Sequence, residues 1–240
     1  MDLKKPLLII GGFSPALKHF VEVISGKVPR LCVFDLPGKE VPGYLKYLKC
    51  EIISGDTTNY KDLRNAMGES GFVLRLSDLE QSDAERYPDF PFGKVIQGTL
   101  NSLEAARKTG VDHFIQLLSQ PLKRSLRGHS YQLTRKLEGE IAKDFSETYR
   151  MNISFLTTGI LFDGHRGYDI SGNKIKATGI RGKDLLGMGD LSQALIKLIT
   201  DKHKGYHEYY LAGSSNAVQK YEVRKAVKEL GMEFQDKYNL

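Results

Sequence analysis

Short, mostly apolar runs recur along the first two thirds of the chain, each separated from the next by a helix-length stretch. They are Leu7–Ile10, Leu31–Phe34, Glu51–Ser54, Gly71–Leu76, His113–Leu118 and Ile153–Thr157. A run of four to six residues that is apolar without alternating is the signature of a strand covered on both faces. The intervening stretches carry helical spacing: Leu17, Phe20, Val21 and Ile24 form one apolar stripe, and Asp62–Met67, Gly98–Lys108 and Arg135–Arg150 read as further helices. Strand and helix in alternation give a parallel sheet with helices on both faces. Because its crossovers are right-handed, the predicted fold is α/β and doubly wound.

Beyond Gly159 the pattern changes. Residues 162–189 are glycine-rich with little periodicity, and a helix at Leu191–Ile199, a short strand at Tyr209–Leu211 and a last helix at Tyr221–Leu230 follow. The expected organisation is a Rossmann-like domain over 1–160 and a small C-terminal lobe over 161–240, packed with it as one unit. A chain of 240 residues that is 40% apolar and 27% charged can bury a sizeable core.

Several function classes fall away on composition. No apolar run approaches the roughly 18 residues of a membrane span. The N-terminal lysines precede only Leu7–Ile10, too little for a signal-peptide core, so the expected compartment is the cytoplasm. Cys32 and Cys50 lie in or beside apolar runs and read as reduced thiols. His203 and His207 are four apart without a third ligand nearby, so no metal is expected. The net charge of +6 is spread widely, and its densest group, from Lys123 to Lys136, is short. That distribution argues for a solvated face rather than a nucleic-acid surface, and it suits anionic small molecules such as nucleotides.

The first strand runs into Gly11-Gly12, and Ser14-Pro15 then opens a helix with serine as N-cap and proline in its first turn. A dinucleotide-binding turn needs glycine for the tight bend, for backbone approach to the pyrophosphate, and for close packing of helix on strand. Here Gly11 and Gly12 are present, but Ser14 and Leu17 stand where the second and third glycines would lie. The Ser14 hydroxyl can cap the helix or face a phosphate, whereas Leu17 is expected to push the helix off the strand. Asp35 closes the second strand about twenty residues on, where a carboxylate accepts from ribose hydroxyls and repels a 2′-phosphate. It favours NAD over NADP. Asp35 also precedes Pro37-Gly38, a turn signal in its own right.

The stretch from Gln97 to Val111, QGTLNSLEAARKTGV, resembles the central helix of the extended short-chain dehydrogenases/reductases, the NAD-dependent epimerase/dehydratase type. Four further segments agree in order and spacing: the turn at 11–17; Gly55-Asp56 with Asp62-Leu63; Arg135-Lys136-Leu137-Glu138; and Gly189-Asp190-Leu191 with Leu211-Ala212-Gly213. The resemblance spans nearly the whole chain. It implies NAD at the carboxyl ends of the strands, a small-molecule substrate such as a nucleotide sugar between the lobes, and a homodimer paired through the helices carrying Leu103 and Leu137.

By the same resemblance Asp56 matches the adenine-contacting acid, although it equally reads as a cap on the following turn with Thr57 and Thr58, and Ser119 matches the substrate-orienting serine and Lys136 the lysine that lowers the pKa of the catalytic tyrosine. The position four before Lys136 is Gln132. Tyr131 is one residue off, about 100° around a helix, and pairs instead with Arg135 at the family spacing. Arginine keeps the positive charge but releases no proton. Asp78, after the fourth strand, would repel a pyrophosphate unless Arg75 compensates. Two classes stay open: a nucleotide-sugar epimerase, dehydratase or reductase using Ser119, Tyr131 and Lys136, and a catalytically degenerate relative that binds nucleotide, or no cofactor at all, as a regulatory module.

Overall fold

The computed structural model describes residues 3–77, 92–119, 129–163, 167–170, 174, 184–201, 203–214 and 217–235, with the backbone alone at 129–131. Seven parallel strands form the main sheet: β1 (Leu7–Ile10), β2 (Leu31–Asp35), β3 (Glu51–Ser54), β4 (Phe72–Leu76), β5 (His113–Ser119), β6 (Ile153–Thr158) and, last in sequence, β10 (Tyr206–Leu211). Their spatial order is β10-β6-β5-β4-β1-β2-β3. The chain winds outward from β1 through β2 to β3, then returns to β4 on the other side of β1. The two halves of the doubly wound sheet therefore diverge between β1 and β4.

Alternation along each strand divides the core into two layers. Leu7 and Ile9 face one side with Ile115 and Leu117, against α1 (Lys18–Ile24), α5 (Met188–Thr200) and α6 (Tyr221–Leu230). Leu8 and Ile10 face the other side with Phe114 and Leu118, against α2 (Tyr60–Met67), α3 (Phe92–Thr109) and α4 (His129–Tyr149). The C-terminal segment is built into this body. Its strand β10 extends the sheet beside β6, and Leu191, Leu195 and Leu198 of α5 share a core with Leu7 and Leu17. A second, three-stranded sheet joins β7 (Ile160–Asp163), β8 (Tyr168–Asp169) and β9 (Leu185–Gly187) within the stretch that reads as unpatterned in the sequence.

The Gln97–Val111 segment shows why its small residues matter. A methyl group at Gly98 would sit 2.7 Å from Thr57 Oγ1, so only glycine lets α3 approach the loop after β3 this closely. Asn101 Nδ2 then donates to the carbonyls of Thr57 (3.0 Å) and Thr58 (2.8 Å). Leu103 is wholly buried in the core, while Leu100 on α3 and Leu133 on α4 are exposed. None of the described helices is long and apolar enough to cross a membrane.

Candidate functional site at the carboxyl edge of the sheet

The carboxyl ends of β1, β2, β4 and β5 converge where the two halves of the sheet diverge. Gly11 leaves β1 with φ +75°, and a side chain there would lie 2.8 Å from the Leu76 carbonyl oxygen on β4. Glycine is required on both counts. At Gly12 a methyl group would meet Val33 Cγ1 at 2.5 Å and Ile9 Cγ2 at 3.2 Å. Ser14 acts as an N-cap, its Oγ accepting from Ala16 N at 3.4 Å, and the first turn, Pro15–Leu17, is a 3-10 helix. Leu17 is wholly buried and joins the core beneath α1. The expected displacement of the helix by this leucine is thus absorbed as packing.

Asp35 is tied to the glycine turn. Its Oδ2 accepts from Phe13 N at 3.0 Å, its Oδ1 accepts from Leu36 N at 2.9 Å, and Lys39 Nζ lies 3.2 Å from Oδ1. Tyr44 closes over the same turn with its hydroxyl 3.5 Å from the Gly12 carbonyl. Burial pushes that phenol up to about 12, with the Glu22 and Asp35 carboxylates adding to the effect. Asp56 is engaged locally: Oδ1 accepts from Thr58 N at 2.8 Å, and its own N–H donates to Asp62 Oδ2 at 3.1 Å. It shapes the turn into α2.

Ser119 ends β5, nearly fully buried, in register with Thr158 of β6. Tyr131 lies in the first turn of α4, its side chain outside the described residues, as are Asp78 and the segment 120–128. Lys136 is exposed. One residue earlier, the side chain of Arg135 is only 12% exposed and directed to the sheet, with Nη1 2.8 Å from Glu138 Oε2 and 3.1 Å from Ser77 Oγ. The reason is helical register. Thr134, Glu138 and Ala142 are buried, and Arg135 flanks that inward stripe while Lys136 is turned a further 100° away. Arg135, not Lys136, borders the buried face.

Behind Arg135 runs a network of buried charged and polar groups. Arg75, in the middle of the otherwise apolar β4, donates through Nη1 to Glu138 Oε1 and to Gln116 Oε1, both at 3.0 Å. Thr99 Oγ1 of α3 lies 3.0 Å from the same Glu138 oxygen. Burial pushes the Glu138 carboxyl up, but the guanidinia of Arg135 and Arg75, with the Ser77 and Arg75 hydrogen bonds, outweigh it and hold the group below the usual carboxylate range. Sequence reading passed over this pairing of Arg75 with Glu138. The available signal was an arginine inside FVLRL and a glutamate on the inward stripe of α4, two charges at positions that periodicity buries.

A cavity of about 510 Å³ opens elsewhere, lined by His203, His207, Tyr209, Lys225 and Glu229 among others. It lies at the amino end of β10, whereas open parallel sheets bind ligands at the carboxyl ends. Among the described residues no group of three or more His, Cys, Asp or Glu is arranged to hold a metal ion.

No protein-family model and no curated protein matches the sequence. Solved structures do match in shape. A UDP-glucose 4-epimerase from Bifidobacterium longum, in complex with NAD+ and UDP, is 14% identical, with a TM-score of 0.71 over 96% of this chain and 93% of that one. An epimerase from the thermophilic methanogen Methanothermobacter thermautotrophicus is 14% identical, with a TM-score of 0.72 over 98% and 88%. A UDP-N-acetylglucosamine 4-epimerase from Methanobrevibacter ruminantium M1 is 16% identical, with a TM-score of 0.68 over 100% and 86%. At such identities the likeness is one of fold, and it agrees with the strand order and the glycine turn: the chain has the fold of the NAD-dependent epimerases and dehydratases of the short-chain dehydrogenase/reductase superfamily.

Proposed function

We propose that this chain binds NAD at the carboxyl edge of its sheet and acts on a nucleotide-linked sugar, as an epimerase, dehydratase or reductase. The observation that carries the reading is the Asp35 carboxylate, fixed at the end of β2 by the Phe13 N–H of the glycine turn. That places an acid beside the tight turn at the divergence point of the sheet, the arrangement that receives an adenosine ribose. The residues fit the cofactor. Gly11 makes the bend against Leu76, and Asp35 keeps acceptor capacity beyond the bonds it makes to the turn. When bound, NAD supplies a hydride acceptor or donor at its nicotinamide ring.

The protein's own part is orientation and proton handling. Asp35 would hold the ribose hydroxyls and disfavour a 2′-phosphate, so NAD is the expected form. Ser119, at the end of β5, would orient a substrate oxygen, and Tyr131 would exchange the proton. Calorimetric titration with NAD+ and NADP+ tests the reading. NAD+ is expected to bind more tightly, and Asp35→Ala to narrow the gap. Tighter NADP+ binding would refute the assignment of Asp35, and absence of heat with either dinucleotide would refute the function.

A further inference from the structure

We infer that His113, His203 and His207 form an acid-sensitive latch that holds the start of β10 and the last turn of α5 to the sheet, and that protonating the cluster releases this corner of the fold. The inference does not depend on which ligand the carboxyl edge binds. The three imidazoles come from the start of β5, the segment after α5 and the second residue of β10. Their rings stand in contact in turn, His113 with His203 at 5.7 Å between centroids and His203 with His207 at 5.5 Å. Tyr209 completes the group, its ring within 6° of parallel to that of His207. His113 also joins two other elements, with Nδ1 2.9 Å from the Leu198 carbonyl of α5 and Nε2 2.9 Å from Ser154 Oγ of β6. A carbonyl only accepts, so Nδ1 carries the proton, and in the neutral ring Nε2 accepts from the Ser154 hydroxyl.

Charge is poorly tolerated at two of these rings. The Nε2 atom of His203 is buried with no hydrogen-bond partner among the described residues. A neutral ring can leave it as a bare lone pair, whereas a charged ring must carry an N–H there. Burial and the neighbouring His207 hold the His203 pKa below its ordinary value, against the pull of Asp201 and Glu229. Burial, with His203 beside it, holds His113 down to about 4. The surrounding acids are already engaged or turned away: Asp112, next to His113, pairs with Lys5, and Glu229 of α6 lies 3.9 Å from Lys225. Glu208 of β10 is exposed, and with Glu140 of α4 it acts on Tyr206. Protons have a route in, because the cavity of about 510 Å³ is lined by both His203 and His207. Once opened, the imidazoles meet water and take protons at their ordinary values, so the open form gains population as the pH falls below about 6.5. The far end of β10 carries contacts of the carboxyl edge: Gly159 N donates to the Leu211 carbonyl, and Gly213 N to the Leu185 carbonyl of β9. Release at the amino end thus loosens the strand to which the small sheet is tied.

Hydrogen–deuterium exchange of the full chain at about pH 7 and about pH 5, corrected for the intrinsic pH dependence of amide exchange, tests the latch. Moving from about 4 in the fold to 6.5 when open, His113 alone should raise the open population about twenty-fold across this interval, and His203 adds to it. The amides of β10 and α6 are expected to speed up by about ten-fold or more and to outpace those of β1 at the centre of the sheet. His113→Gln keeps a donor and an acceptor for Leu198 and Ser154, and should cut the acid response of β10 by about ten-fold. His203→Phe keeps a ring that takes no proton, and should cut it by about two-fold or more. In the double variant the response should be flat to within about three-fold. Circular dichroism at neutral pH establishes that each variant is folded. Acid exchange of β10 no faster than that of β1 would show that these histidines act only through global unfolding, and would overturn the latch. An acid response that is absent from the unaltered protein, or that persists in the double variant, overturns it equally.

Discussion

The carboxylate of Glu138 on α4 lies 3.0 Å from the guanidinium of Arg75 on β4, and neither side chain is in contact with bulk water to any useful degree. Removing one partner strands the other. Glu138→Ala is expected to lower stability by about 3–5 kcal/mol, because Arg75 is left charged and buried. Combining it with Arg75→Met should recover part of that loss. Urea unfolding of the single and double variants checks the expectation, and a double variant no more stable than Glu138→Ala would show that the pair is not coupled.

A methyl group at Gly12, just past β1, would meet Val33 of β2 at 2.5 Å. Gly12→Ala should cost about 1–3 kcal/mol through overpacking. Val33→Ala opens the space the new methyl needs, so the double variant should be less destabilised than the sum of the singles by about 1 kcal/mol. Strict additivity in a denaturant-unfolding cycle would argue that the backbone, not Val33, sets the limit.

How much of this was legible in the sequence depends on how local the determinant is. β1, β3 and α6 match their sequence readings residue for residue: two-sided burial marks β1 and a helical stripe marks α6, while β3, half-exposed at the sheet edge, carries only Ile52-Ile53. Helix α3 begins six residues before Gly98, and α4 begins at His129 rather than Arg135. The residues that open α4 are mostly polar and carry little apolar period, whereas α3 opens on Phe92, Val95 and Ile96 at helical spacing that the sequence reading passed over. The sheet of β7, β8 and β9 was invisible because strands of two to four residues gain their identity only from one another. At the site, Gly11 and Asp35 could be placed from spacing alone. The choice between Arg135 and Lys136 could not, because it turns on which of two adjacent positions faces β4. The engagement of Asp56 with Thr58 is one of the two readings that the sequence offers for this acid.

Leu17 stands where the family pattern has a glycine, and restoring that glycine should damage the protein. The side chain is wholly buried with Phe20, Val21 and the leucines of α5. Leu17→Gly should cost about 3–5 kcal/mol, combining the cavity left by a leucine with the helical penalty of glycine. Thermal unfolding measures it; a loss below about 1 kcal/mol would mean that α1 re-docks closer to the sheet.

His113 introduces a pH dependence. It is buried at the start of β5, with Nδ1 2.9 Å from the Leu198 carbonyl and Nε2 2.9 Å from Ser154 Oγ. Burial, with His203 nearby, depresses its pKa from 6.5 to about 4. The unfolded chain thus binds this proton first as the pH falls. The stabilising difference is fully present above about 6.5 and is lost progressively on the way down to about 4, for a total on the order of 3 kcal/mol. In His113→Gln the stability lost between these pH values should shrink by about that amount. An unchanged slope in urea titrations across the range would place the titrating group elsewhere.

The edge strand β10 is drawn from residues 206–211 yet pairs along the full length of β6. During synthesis, β6 emerges roughly fifty residues before its neighbour, and its Ile153, Phe155 and Leu156 then border an open row of backbone donors and acceptors. Nascent chains of this protein therefore pass through an interval in which the sheet is a template for association with other chains. A chain ended before Tyr206 would remain in that condition, with an apolar edge and nothing of its own to cap it.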